Sequence, residues 1–379
     1  MRRAVLFLAL CVLGAPTLAA QGTEERPVTE ALGRARSLED SVLAAQVLLT
    51  GIDGKGVLGP GMAALLGEVP AGGVLLFRYN LSVRREEVAP FLAQVRAAAL
   101  FRGGEDLPPL IAVDHEGGLV HRLGEGLTRL PPPLSYWERL RDGGDREAIL
   151  RDLEESAFRS GGELRELGIT VNLAPVAETL SPENRDFLGS RSYGPDPAFV
   201  EDAASAFIRG MGRAGVVCVV KHFPGSSGDP HRQAVSLAGD RAALNSLVRP
   251  LAALLRSAPL VMVSHVRVPA WDAGQSASLS PAVMGRWLRG ELGFDGAVLA
   301  DDFSMAGSSE RDNGRAAVAA LNAGADWIMC WPSNLAATRR AILAALASGA
   351  LPRERLVEAA ARIIAVKLRL RNEAPGGVP

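Results

Sequence analysis

Cysteine is scarce in this chain: its 379 residues include three. Cys11 falls in an apolar leader, while Cys218 and Cys330 each sit inside a strand-like apolar run. Two such residues read as buried small hydrophobes and do not make a disulfide framework. Histidine is also sparse, and the five present are scattered without metal-ligand spacing, so no metal site is expected. Gly117-Gly118 is followed by Leu119 and Val120 instead of further glycines, so no phosphate-binding loop is expected and no cofactor is implied. Neither sign of charge dominates, with 41 Lys and Arg against 42 Asp and Glu, so the electrostatic footprint of a nucleic-acid partner is missing. No repeat and no linker marks a second domain, and the oligomeric state is not legible.

The only long apolar run is at the N-terminus, from Ala4 to Ala15, and it is short for a membrane span. Arg2 and Arg3 precede it, and the small residues Ala19 and Ala20 follow. That is the layout of a secretory signal peptide over residues 1–20. Cys11 follows Leu10 and not a small residue, which argues against lipoprotein attachment, while an uncleaved anchor stays open. The expected product is exported, periplasmic or secreted, with no membrane association beyond the leader.

Apolar residues make up 48% of the chain, ample for a large core. Apolar runs at 46–51, 73–77, 110–113, 170–174, 216–220, 260–264, 297–300 and 327–330 read as strands buried on both faces. Between them lie helical patterns, among them 84–100, 149–167, 199–214, 241–256 and 316–323, and an amphipathic stretch at 352–370 closes the series. Residues 21–40 read as a tether or a first helix. Eight strands interleaved with helices predict an α/β fold, a closed (β/α)8 TIM-type barrel spanning residues 43–370.

In such a barrel, chemistry sits at the C-terminal ends of the strands. Polar residues gather there: Arg78, Tyr79 and Asn80 after the second run, and Asp114, His115, Glu116 and Arg122 after the third. Arg191 lies in the long loop after the fourth, Lys221 and His222 end the fifth, Ser264 and His265 the sixth. The seventh breaks from GAVLA into Asp301 and Asp302. A carboxylate there is costly without partners or a task. Asp302 reads as a cap for the next helix and Asp301 as the residue with the task. Mixed donors and acceptors around one mouth suit a polyhydroxylated ligand.

The segments DHEGGLVHR, NLAPVAE, GSRSYGPDP, KHFPG, ASLSP and RGELGFDGAVLADDFSM resemble the N-terminal barrel of glycoside hydrolase family 3. The likeness runs from about Leu43 to about Leu370 and is nearest to the single-domain bacterial β-N-acetylglucosaminidase branch. It implies retaining hydrolysis of terminal β-linked sugars through a covalent glycosyl-enzyme, with Asp301 as nucleophile. It also implies that Asp114 accepts hydrogen bonds from sugar hydroxyls and that Arg122, Arg191, Lys221 and His222 hold the sugar. Tyr79 stands where the family has an arginine, so Asn80 beside it is assigned no contact.

One loop departs from the pattern. The branch carries a histidine after KHFPG and then an aspartate-x-histidine dyad that transfers the proton. Here Ser226 replaces the first histidine, and Gln233 and Val235 fall where the dyad belongs. His231, two residues after Asp229, is the substitute acid/base candidate. The expected function is an exported exo-acting hydrolase of terminal β-N-acetylhexosamine from cell-wall or chitin-type oligosaccharides. A β-glucosidase or β-xylosidase, and a sugar-binding homologue with impaired catalysis, remain as alternatives. The acceptor, water or phosphate, is left open.

Overall fold

The structure, a computed structural model, describes residues 21–81, 84–101, 103–104, 106–123, 127–230, 232–305, 308, 310 and 312–372. The leader at 1–20 and His231 lie outside the described residues. Eight parallel strands close into a barrel: β1 (Leu48–Gly51), β2 (Gly73–Leu76), β3 (Leu110–Val113), β4 (Val171–Asn172), β5 (Val217–Phe223), β6 (Leu260–Val263), β9 (Ala297–Ala300) and β10 (Trp327–Cys330). Neighbours in the chain are neighbours in the sheet, and β10 pairs back onto β1. Two short antiparallel strands, β7 (Arg267–Val268) and β8 (Asp272–Ser276), form a hairpin outside the barrel after β6. Each of the eight predicted strands is present.

Burial on both faces explains why these strands read as continuous apolar runs and not as alternation. Leu110 and Ala112 belong to the cluster inside the barrel, whereas Ile111 and Val113 join the layer between strands and helices. Trp327 fills the interior so tightly that a Cβ at Gly73 would lie 2.2 Å from its ring, so glycine is required there. Cys218 and Cys330 are buried free thiols, as expected.

Helices alternate with the strands, and several begin at an aspartate whose carboxylate accepts an amide of the first turn. Asp145 starts Arg146–Leu167, Asp240 starts Arg241–Leu254, and Asp312 starts Asn313–Ala323. The last assignment corrects the expectation for Asp302: the helix cap lies ten positions later, at Asp312. The stretch read as a tether or helix forms the helix Gln21–Ser37, which packs on the terminal helix Arg353–Asn372. Among the helices not picked out from the sequence are Pro60–Glu68, Pro133–Arg141 and Pro332–Ala347, and the hairpin was not picked out either. Gly61 and Gly67 dilute the pattern of the first, and Asp272–Ser276 is too exposed and polar to show alternation.

Candidate active site

The strand ends bring Asp114, Glu116, Arg191 and Lys221 into one ion-paired network. Lys221 Nζ lies 2.6 Å from Asp114 Oδ1 and 2.7 Å from Glu116 Oε1. Arg191 donates Nε and a terminal nitrogen to the two Glu116 oxygens, both at 2.8 Å. Two cations therefore balance two anions. Burial penalises the ionised Glu116 carboxyl, but Lys221 and Arg191 together outweigh that cost and hold it below the usual carboxylate range. Burial works against the charged Lys221 ammonium, yet Asp114 and Glu116 raise it overall. Side-chain exposure separates the layers: 19% for Asp114 and Arg191, against 1% for Glu116 and 3% for Lys221. Asp114 and Arg191 thus reach the mouth, while Glu116 and Lys221 anchor them from below.

Backbone pairing fixes Lys221 in place. Its amide donates to Pro175 at 3.0 Å and its carbonyl accepts from Ala177 at 2.8 Å, which ties the end of β5 to the chain leaving β4. His222 follows, and its Nδ1 lies 2.6 Å from Glu178 Oε1. Ser226, in the position of the family's histidine, donates its hydroxyl to Glu178 Oε2 at 2.7 Å. Glu178, His222 and Ser226 are all buried, so this serine completes a carboxylate's hydrogen bonding. Arg122 is partly buried, and its Nε is a buried donor without a partner among the described residues. His115 is forced towards neutrality, to about 3, by burial and by its neighbours His121 and Arg122, which rules it out as a proton donor near neutral pH.

Asp301 stands at the end of β9, partly exposed. Among the described residues its carboxylate has one hydrogen-bond partner, the Asp302 amide at 2.9 Å. Asp302 is far more constrained. Its carboxylate accepts the indole Nε1 of Trp331 at 2.9 Å, the Ser304 hydroxyl at 2.7 Å and the Ser304 amide at 2.9 Å. Its carbonyl accepts from His265 Nε2 at 2.9 Å, and His265 Nδ1 meets the Ser278 hydroxyl at 2.6 Å. These contacts set the imidazole tautomer, with Nε2 carrying the proton. The second aspartate is therefore scaffold, and it leaves the first with an available oxygen.

Residues 61–366 match the Glycosyl hydrolase family 3 N terminal domain. The chain belongs to glycoside hydrolase family 3. It is a glycoside hydrolase, and its substrate is a carbohydrate. A β-hexosaminidase of Methylococcus capsulatus is 36% identical over 265 residues, 68% of this chain and 75% of that one. The β-hexosaminidase LpqI of Mycobacterium tuberculosis is 34% identical, over 71% of each chain. Among solved structures, a family 3 β-N-acetylglucosaminidase from Paenibacillus sp. str. FPU-7 superposes with a TM-score of 0.81 at 33% identity. The alignment covers 90% of this chain and 65% of that longer protein. The M. tuberculosis LpqI structure gives a TM-score of 0.77 at 30% identity, covering 89% and 96%.

Within this family 3 barrel, the sequence-predicted Asp114, Arg191 and Lys221 converge, and His222 sits beside them along β5. His231 lies outside the described residues. Of the two positions aligned with the family's dyad, Gln233 is exposed and Val235 is 5% exposed, its carbonyl paired with the Arg267 amide at 2.8 Å. Sequence reasoning noted Glu116 at a strand end but gave it no role, and it missed Glu178. Both lie in strand-proximal motifs, DHEGG and NLAPVAE, and that position was the available signal.

Proposed function

We propose that the chain is an exported, retaining exo-glycosidase that removes terminal β-linked N-acetylhexosamine from cell-wall or chitin-type oligosaccharides. One observation carries the reading. The end of the barrel that bears Asp301, which has no ion pair among the described residues, also bears a charge-balanced network of Asp114, Lys221, Glu116 and Arg191. The names of the hexosaminidase and N-acetylglucosaminidase relatives support the choice of sugar. Export rests on the leader at residues 1–20.

In this reading an Asp301 oxygen attacks the anomeric carbon. The bond to the leaving saccharide breaks as its oxygen takes up a proton, leaving a glycosyl-aspartate ester. Water then attacks the same carbon, loses a proton and frees Asp301, so configuration is retained. Asp114 accepts from sugar hydroxyls, while Arg191 and Arg122 donate to them. Lys221 and Glu116 hold those partners, and Glu178 holds the His222 ring. Proton transfer is assigned to His231, because Gln233 and Val235 cannot titrate.

The loss of titratable groups at those two positions favours a second reading, a sugar-binding homologue with impaired catalysis. Turnover of aryl β-N-acetylglucosaminide, glucoside and xyloside by wild type, Asp301→Ala and His231→Ala, each with and without azide, separates the cases. The hydrolase reading requires wild-type turnover with a preference for the hexosaminide, and an inert Asp301→Ala. His231→Ala should lose about two to four orders of magnitude on a poor leaving group, whereas on an aryl glycoside with a good leaving group, where breakdown of the glycosyl-aspartate limits turnover, azide should relieve the defect. A wild type inert on all three glycosides supports the binding protein.

A further inference from the structure

After β2 the chain reads FRYN, and this turn builds a surface that the reaction above does not use. Phe77 stacks near-parallel with two other rings, Tyr79 at 6.0 Å and 5° and Trp331 at 5.0 Å and 16°. A side chain at Gly51 would press on Phe77 at 3.3 Å and on Trp331 at 3.5 Å, so the rings rest directly on the β1 backbone. Tyr79 is 46% exposed, yet it cannot turn away, because its hydroxyl donates to the Ile52 carbonyl at 2.5 Å. Asn80 donates to the same carbonyl at 3.0 Å and to Gly54 at 2.8 Å. The turn after β2 thus pins the loop after β1.

That loop forms one wall of a cleft of about 570 Å3, lined by Asp53, Gly54, Val57 and Met62, with Pro332 and Ser333 opposite. Val57 is 66% exposed in it. Trp331 of the ring stack immediately precedes Pro332 of the cleft lining, and its indole holds Asp302 next to Asp301. A lone exposed tyrosine is ordinary. A tyrosine held parallel to a stacked pair, beside a mostly apolar cleft and one indole away from the Asp301-Asp302 pair, presents a flat face to a ligand.

We propose that the ledge of Tyr79, Phe77 and Trp331, with the adjoining cleft, binds the leaving saccharide next to the bond that is cut. Its occupant is a pyranose ring laid with its C–H face on Tyr79. Asp53 is the only ionisable residue lining the cleft among the described residues, so it accepts from ring hydroxyls and disfavours a carboxylate-bearing sugar. The site therefore selects neutral, chitin-type aglycones. This inference rests on the glycosidase reading.

The test compares N,N′-diacetylchitobiose with methyl β-N-acetylglucosaminide, which has no second ring. Tyr79→Ala should lower kcat/KM on chitobiose about five- to tenfold and leave the methyl glycoside within about twofold. Tyr79→Phe, which keeps the ring but loses the bond to Ile52, should fall between wild type and Tyr79→Ala on chitobiose and leave the methyl glycoside within about twofold. Calorimetry on Asp301→Ala and Asp301→Ala/Tyr79→Ala then compares chitobiose with N-acetylglucosamine, and the affinity gained from the second ring should vanish with Tyr79. Equal losses on both substrates would make Tyr79 a loop anchor only. No loss on chitobiose, or tighter use of a carboxylate-bearing disaccharide than of chitobiose, also overturns the proposal. A wild type that hydrolyses neither substrate defeats the glycosidase reading instead, and the calorimetry still decides the ledge; failure to bind either sugar overturns it.

Discussion

Glu116→Gln tests the site's electrostatics with almost no change of shape. In the native chain two carboxylate oxygens accept from Arg191 twice and from Lys221 once, all between 2.7 and 2.8 Å. Glutamine offers one oxygen and one NH2, so an N–H must face a cation's N–H. The network also gains a net positive charge where Glu116 was 3% exposed. Breaking a buried pair by removing one charge costs about 3–5 kcal/mol. An unfolding entropy of about 2.1 cal per mol per kelvin per residue over about 350 residues makes about 4 kcal/mol worth about 5 °C in Tm.

The pH dependence carries the sharper discrimination. The Glu116 carboxyl is depressed in the fold, so its stabilising contribution is complete above the unfolded value of about 4.3 and is lost as pH falls through the folded value. Glutamine has no such dependence. The Tm gap between wild type and Glu116→Gln should therefore be constant from pH 7 to about 5 and shrink steadily below about 4.3. Calorimetric scans on both proteins read this directly. A gap below about 1 °C, or a gap of several degrees that does not shrink in acid, would refute the argument that charge pairing is what makes Glu116 matter.

Lys367 is buried against Gln46 Oε1 at 2.7 Å with no anion among its hydrogen-bond partners, and burial pushes it down to about 7. Between that value and the unfolded one of about 10.4 the native state holds fewer protons, so stability rises with pH across the window. Lys367→Met should flatten that rise, read as the difference in stability between thermal scans at pH 7 and 9. Asp326, fully buried, takes Arg289, Arg355 and Arg362 at 2.6, 2.8 and 3.1 Å, so Asp326→Asn should lose about 3–5 kcal/mol in urea unfolding. Gly73→Ala should cost about 1–3 kcal/mol or more through the Trp327 ring. Adding Trp327→Phe should recover part of that loss, which identifies the clash as the cause.

The barrel was legible because a parallel strand covered on both faces leaves an uninterrupted apolar run, and each of the eight such runs became a strand. Asp114, Arg191, Lys221, His222 and Asp301 were legible because they follow those runs or lie in recognisable motifs. The roles of Glu116 and Glu178 were not. A glutamate in DHEGG or NLAPVAE looks like a solvated loop charge until its partners are known, and those partners lie 75 and 44 positions away along the chain. Asp302 was misread for the same reason, since the indole that holds it arrives 29 residues later.

These buried contacts also bear on why Asp301 is proposed as the reactive member of its pair. Adjacent carboxylates at a strand end compete for the same nearby donors. Here the donors are allotted to Asp302 by the Trp331 indole and the Ser304 hydroxyl and amide, with His265 fixing its carbonyl. Among the described residues Asp301 receives one amide hydrogen bond, so it keeps lone pairs available without the drag of a saturated carboxylate. Across the barrel the opposite holds: Asp114 and Arg191 are oriented by partners that are themselves almost fully buried. A side chain that must attack is left under-coordinated, and side chains that must hold a ring still are over-coordinated from below. Replacing Trp331 with Phe keeps a ring but removes one of the two donors to Asp302 Oδ2, leaving only the Ser304 hydroxyl on that oxygen. If this division of labour is right, the substitution should lower kcat on a methyl glycoside more than it raises KM. An effect confined to KM would mean that Asp302 is not what keeps Asp301 available.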